Sequence, residues 1–128
     1  IEYYFILGRI GGVYRDFGNY IKAEDYYSKS NKILIQLNED INGSNYATYF
    51  INNGLNEFYR GNYKQAEINF IASLNIFKTI YGENDERYIS SLNNLGGVYT
   101  SIGSYDKAQY YFNKTLEYPQ ILVIEMTY

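Results

Sequence analysis

One pattern occurs three times along this chain, at intervals of 42 to 43 residues. Each copy combines a glycine within a helical stripe, a turn containing glycine, and an alanine followed four residues later by an aromatic residue. The alanines are Ala23, Ala66 and Ala108. A period of this length is typical of stacked supersecondary units. The sequence therefore predicts a repeat array, in which function lies on a surface.

Each copy has the periodicity of two helices joined by a tight turn. Apolar and small residues fall at i, i+3, i+4 and i+7 of the first helix, as at Leu92, Leu95, Gly96 and Tyr99. The turn follows at Gly18, Gly61 and Gly103. Glycine just past a helix suits the left-handed conformation that ends it. The pattern predicts an all-α array of antiparallel helix pairs.

The recurring glycines within the first helices indicate close helix packing. Glycine inside a helix costs roughly 0.5–1 kcal/mol relative to alanine, so its return at one phase implies a geometric need. We expect each of these glycines to face the alanine of the second helix at the crossing point. The predicted pairs are Gly11 with Ala23, Gly54 with Ala66, and Gly96 with Ala108.

Composition excludes several classes of function. The chain has no His and no Cys, so it lacks the usual general base and the commonest metal ligands, and we expect no enzyme activity, metal or cofactor. A net charge of −3 argues against nucleic-acid binding. The sequence contains no run of 18 apolar residues, so we expect no membrane span. The chain begins at Ile1 without a signal peptide. We interpret it as a piece of a longer or processed protein and predict a cytoplasmic location.

These motifs resemble the tetratricopeptide repeat, whose signature places L-G-x-x-Y on the first helix and A-x-x-x-F on the second. Leu95-Gly96-x-x-Tyr99 with Ala108-x-x-x-Phe112 is similar to it, as is the first copy. The resemblance implies a right-handed superhelical α-solenoid. The predicted repeats cover about residues 4–38, 46–80 and 88–118. The long period and the linker after Tyr81 resemble the kinesin-light-chain-like subtype.

The second copy departs from the pattern. Asn53 stands where the stripe requires Leu, and Glu57 where it requires Tyr. A buried carboxylate without a partner is costly. Either Glu57 reaches solvent at the helix edge, or the register slips by one residue and Phe58 takes the tyrosine position. The unslipped register keeps Gly54 in phase and is preferred.

The resemblance implies a non-catalytic interaction module whose first helices line a concave groove for a peptide or a partner helix. A primary amide can pair with any peptide backbone, so asparagines on these helices are the main candidates; alternatively they are solvated or bond to the neighbouring repeat. The predicted contact residues are Asn52, Asn94, Asn93, Arg9, Leu55, Tyr59, Ser101 and Asp16. Leu55 and Tyr59 provide an apolar contact or belong to the core.

An alternative function is structural. Repeat arrays normally end in a polar capping helix, whereas residues 119–128 form an apolar tail that begins at Pro119. The tail is either the start of a truncated element or a contact with a second copy. A homodimer or swapped oligomer through this tail, or a scaffold segment of a larger multidomain protein, is therefore the second hypothesis.

Overall fold

The computed structural model describes residues 3–118, and these residues form six α-helices and no strand. The helices are α1 (Tyr3–Asp16), α2 (Tyr20–Gln36), α3 (Ser44–Arg60), α4 (Tyr63–Tyr81), α5 (Glu86–Ile102) and α6 (Tyr105–Thr115). The predicted all-α class is confirmed. The apolar tail predicted at 119–128 lies outside the described residues.

Turns of two or three residues join the helices of each pair and make them antiparallel. Gly61 and Gly103 end α3 and α5 in the left-handed conformation, with φ of 88° and 89°. Gly18 after α1 has a φ of 82°. Only glycine adopts this conformation without steric cost, which explains why the turns return at the same place in each copy. The Asn19 side chain then accepts a hydrogen bond from the Lys22 backbone N–H at the start of α2.

The three helix pairs stack in a line, with α3 packed on α2 and α5 packed on α4. Two apolar clusters hold the stack together. The first consists of Leu34, Tyr46, Ala47, Ile76, Phe77, Tyr88 and Leu92. The second consists of Ala66, Phe70, Leu95, Val98, Tyr99 and Ala108. Each cluster joins residues of successive pairs, so no pair buries its apolar surface alone.

The recurring glycines face aromatic rings, which corrects the expectation that they face the alanines. A Cβ atom on Gly11, Gly54 or Gly96 would lie 2.6, 2.7 or 2.5 Å from a ring carbon of the second helix. The three rings are those of Tyr27, Phe70 and Phe112. The space of the missing side chain is therefore filled by the aromatic residue four positions after each alanine. Because Gly54 makes the same contact as the other two, the unslipped register of the second copy is confirmed.

Glu57 is buried, so the expectation that it reaches solvent was wrong. Only 8% of the residue is exposed. Its carboxylate accepts a hydrogen bond of 2.7 Å from Asn62 Nδ2 and lies 3.5 Å from the guanidinium of Arg60. These partners offset the cost of burying the charge. Sequence reasoning missed this alternative because both partners lie beyond the repeating stripe.

Candidate functional site

A groove separates α1 from α3, the first helices of the first two pairs, and encloses a cavity of about 630 Å³. One wall is α1 and the other is α3, while Tyr27 and Ser30 of α2 form the floor. The α3 wall consists of Asn45, Thr48, Tyr49 and Asn52. On α1, Gly8 and Gly12 present backbone to the groove instead of side chains. The cavity is thus open along the helices and suits an elongated ligand.

Asn52 lies close to α1 across the groove. A Cβ atom on Gly8 would lie 3.3 Å from Asn52 Nδ2, so the amide lies against the backbone of α1. Asn52 is half-buried, and its side chain makes no hydrogen bond within residues 3–118. Its donors and its acceptor are therefore available to a ligand backbone, as its predicted role requires.

Arg15 is a groove residue that sequence reasoning missed. Its side chain is 16% exposed, and NH1 donates a hydrogen bond of 3.3 Å to the hydroxyl of Tyr27. Its buried Nε makes no hydrogen bond and lies 3.4 Å from a carboxylate oxygen of Asp16. Burial raises the pKa of Tyr27, and the positive charge of Arg15 opposes this shift. The signal for Arg15 was absent from the repeat pattern, because the equivalent positions are Phe58 and Thr100.

Two further predicted residues line the same groove. Arg9 is exposed, and its guanidinium lies 5.7 Å from the centre of the Phe5 ring. Asp16 is exposed beside Arg15. On the α3 wall opposite them, burial raises the pKa of Tyr49, and the negative charge of Glu24 raises it further. The structure therefore brings Arg9, Asp16 and Asn52 together around one cavity.

The other predicted contact residues lie away from this cavity. Leu55 is half-buried and packs against the second core cluster, whereas Tyr59 is 58% exposed and contacts the Phe58 ring edge-on. On α5, Asn94 is half-buried, and Asn93 and Ser101 are exposed. Their roles remain predictions, and Leu55 contributes to the core as well.

Two tyrosines outside the groove, Tyr88 and Tyr99, have raised pKa values and structural partners. Burial, with a hydrogen bond to Glu83, raises the pKa of Tyr88 to about 12. Burial also raises the pKa of Tyr99, whose hydroxyl donates to Glu67 at 2.5 Å. Residues 3–118 contain no group of three or more His, Cys, Asp or Glu side chains that could hold a metal ion. Over the same range, no helix combines the length and apolar content that a membrane crossing requires.

Comparison with known proteins agrees with this geometry. The family model described as tetratricopeptide repeat matches residues 45–120. The crystal structure of BtubC (BKLC) from P. vanneervenii superposes with a TM-score of 0.83 and 26% sequence identity. The match covers 91% of this chain and 46% of that one, so the chain spans less than half the length of that protein. No curated protein matches the sequence.

Proposed function

Because the chain belongs to the tetratricopeptide repeat family, we propose that it is a non-catalytic protein-interaction module whose α1–α3 groove binds an extended peptide. Repeats of this family are generally protein–protein interaction modules. The finer assignment concerns where and how the partner binds. Asn52 is proposed as the central contact, with Arg9 and Asp16 at the rim and Asn94 as the equivalent contact on α5.

The unpaired amide of Asn52 against the backbone of Gly8 is the observation that carries this proposal. A peptide laid along α1 would exchange backbone hydrogen bonds with the amide without regard to its side chains. The buried ring of Tyr27 closes the floor, and the partly buried Arg15 donates a hydrogen bond to its hydroxyl and pairs with Asp16 at the rim. Modules of this size bind with Kd values of ~1 μM, about −8 kcal/mol.

The kinesin-light-chain-like subtype is part of the proposal. The interval of 42 to 43 residues and the paired asparagines Asn93 and Asn94 on α5 support it. So does the equivalence of Asn52 and Asn94, which occupy the same position in successive copies. We propose a single array of three repeats, with a protein or peptide as the ligand.

Peptides selected on the immobilised chain from a random phage library provide the test. Asn52→Ala is expected to weaken binding of a selected peptide about tenfold, because it removes one to two hydrogen bonds to the ligand backbone. Asn75→Ala is the matched control, since Asn75 is an exposed asparagine on α4. Equal affinities of the two variants, measured by calorimetry, would contradict Asn52 as the central contact.

A further inference from the structure

Gly12 lies inside α1 at a position where neither the backbone nor the packing requires a glycine. Its backbone is helical, a conformation that any residue can adopt. A Cβ atom there would meet Arg15 Nη2 at 3.8 Å, which is an ordinary van der Waals distance. On the adjacent Gly11, by contrast, a Cβ atom would lie 2.6 Å from the Tyr27 ring. Since glycine inside a helix is less stable than alanine, Gly12 leaves a space that the fold itself does not need.

A leucine side chain fills the corresponding space in the next copy. Leu55 occupies the position equivalent to Gly12, is half-buried and packs against the second core cluster, to which α5 contributes. Gly12 has the same relation to α3 that Leu55 has to α5, because a further first helix follows each of them. Gly97, the third equivalent, has no following first helix within residues 3–118. Beside Gly12 the space belongs to the groove cavity instead of to the core.

The surroundings of this space are mainly apolar. Ile10 and Val13 of α1 line the same cavity, and the buried ring of Tyr27 closes its floor. The guanidinium of Arg15 lies at one edge, where it donates a hydrogen bond to the Tyr27 hydroxyl and pairs with Asp16. A group that enters the space therefore contacts apolar atoms and a cation that already has partners within the chain.

Asn52 holds the proposed ligand backbone next to this space. Its amide lies against Gly8, which precedes Gly12 by four residues, or about 6 Å along a helix. Side chains on one side of an extended peptide are about 7 Å apart. One peptide residue can therefore pair with Asn52 while the next residue on that side places its side chain beside Gly12.

We propose that the space beside Gly12 is a specificity pocket for one aliphatic side chain of leucine or isoleucine size. The pocket belongs to the groove of the proposed function, on which it rests, and it adds the kind of side chain that the peptide carries. The ligand side chain takes the place that Leu55 takes in the next copy. Its burial against Ile10, Val13 and the Tyr27 ring removes apolar surface from water and so contributes to affinity. Any larger residue in place of Gly12 occupies part of the pocket.

Calorimetry with a peptide selected from a random phage library tests the pocket. Gly12→Leu copies Leu55 of the next copy, and we expect it to bind the peptide at least about tenfold more weakly. Its melting temperature is expected to be no lower than that of the wild type, since leucine forms helices better than glycine. Gly12→Ala is expected to show a smaller loss of affinity and keeps the test open if the leucine variant does not fold. Ser28→Leu, at an exposed position on α2 outside the cavity, is the control and is expected to bind like the wild type.

Changing the peptide tests the same contact from the other side. Replacement of its aliphatic residue by alanine is expected to weaken binding to the wild type about tenfold. The same replacement is expected to leave binding to Gly12→Leu nearly unchanged, because the pocket is already filled. Asn52→Ala is expected to weaken the binding of both peptides alike, since it acts on the ligand backbone.

The outcomes distinguish a failure of the pocket from a failure of the groove. The pocket is overturned, and the groove stands, if Asn52→Ala weakens binding while Gly12→Leu and Gly12→Ala bind like the wild type. It is overturned in the same way if the selected peptides share an acidic residue in place of an aliphatic one. Both proposals fail if no peptide is selected, or if the substitutions of Asn52 and Gly12 all leave the affinity unchanged.

Discussion

The two junctions between successive helix pairs have the same geometry and opposite chemistry. The second junction, α4 with α5, is apolar, and the first, α2 with α3, is polar at the equivalent positions. Leu95, Val98 and Tyr99 of α5 correspond to Asn53, Asn56 and Glu57 of α3. All three of the α5 residues and both Asn56 and Glu57 are buried. Close packing of helix pairs therefore does not depend on apolar side chains at every stripe position.

The polar junction depends on hydrogen bonds that are not all complete. Asn56 is fully buried and donates to the backbone oxygen of Tyr20 at 3.0 Å, but its own side-chain oxygen has no partner. Arg60 joins Glu24 of α2, at 2.7 Å, to the buried Glu57. An incompletely paired polar contact contributes less than an apolar one of the same volume. We infer that the first junction is the weaker of the two, and the proposed groove lies beside it.

We expect the largest change in the free energy of unfolding when the apolar and polar residues at equivalent positions, Val98 and Asn56, are exchanged. Val98→Asn places an amide in an apolar site and is expected to lower the free energy of unfolding by about 3 kcal/mol. Asn56→Val removes the unpaired oxygen but also the hydrogen bond to the Tyr20 oxygen, and is expected to raise it by less than about 1 kcal/mol. Urea unfolding followed by circular dichroism measures both. Changes of the same sign would contradict the difference between the junctions.

Substitutions of Gly54 and Gly96 test how strongly α5 confines the Phe70 ring of the second pair, compared with the exposed Phe112 ring of the third. Gly54→Ala places a methyl group against the Phe70 ring, which is buried beneath α5 and cannot move, so we expect a loss of about 1–2 kcal/mol. Gly96→Ala meets Phe112, which is partly exposed and can rotate away. The gain in helix propensity, about 1 kcal/mol, then offsets the clash. Thermal unfolding of the two variants gives the comparison; equal losses would show that the exposed ring is as confined as the buried one.

The charged contact of the first junction is expected to contribute less. Arg60→Met leaves the buried Glu57 carboxylate with Asn62 as its remaining close partner, and we expect a loss of about 1 kcal/mol. Lys29→Met removes an exposed ion pair with Asp25 and serves as the control, with no measurable change expected. Denaturant midpoints at low and high salt separate the two. A loss for Arg60→Met no larger than for the control would mean that Glu57 does not need its cation.

The smallest expected effect is a pH dependence at the second junction. The hydroxyl of Tyr99, and then Lys64, lower the pKa of Glu67 from its ordinary value of 4.5. A pKa lowered by folding adds stability that is present above the ordinary value and is lost as the pH falls through the folded one. Tyr99→Phe is therefore expected to be less stable than the wild type at neutral pH, with a difference that shrinks below pH 4.5.

Tyr105→Phe is the control for this pH dependence, because Tyr105 is an exposed tyrosine on α6. Its unfolding free energy is expected to follow that of the wild type from neutral pH into acid. A constant difference between the wild type and Tyr99→Phe over the same range would show that the hydrogen bond to Glu67 does not set this pKa.

The repeat pattern predicted the fold because helix period, turn glycines and alanines all return at one interval. It could not predict how Glu57 is buried, since its partners Asn62 and Arg60 come from the turn and the helix end, outside the stripe. The pattern also paired the recurring glycines with the wrong residues. The repeat interval in the sequence indicates which helices pack together. Which side chain fills the space beside a glycine depends on the direction in which each side chain leaves its helix.

The candidate site was predictable only in part for a related reason. Asn52 was chosen with Asn94 through the family resemblance; it lies beside α1 in the groove, and its role stays a prediction. Arg15 and Tyr49 do not repeat, so no pattern pointed to them. Residues that differ from one copy to the next also line the groove, and only the three-dimensional arrangement brings them together.

Mapping a selected peptide by NMR tests the proposed function most directly. A ¹⁵N-labelled chain is titrated with a peptide chosen from a random phage library, and backbone amide shifts are followed. The groove proposal predicts that the largest changes fall at Gly8, Gly12 and Asn52, and that Asn52→Ala raises the Kd fitted from them about tenfold without altering the spectrum of α6. Changes confined to α4, around Asn75 and Thr79, with the groove amides unaffected, would contradict it.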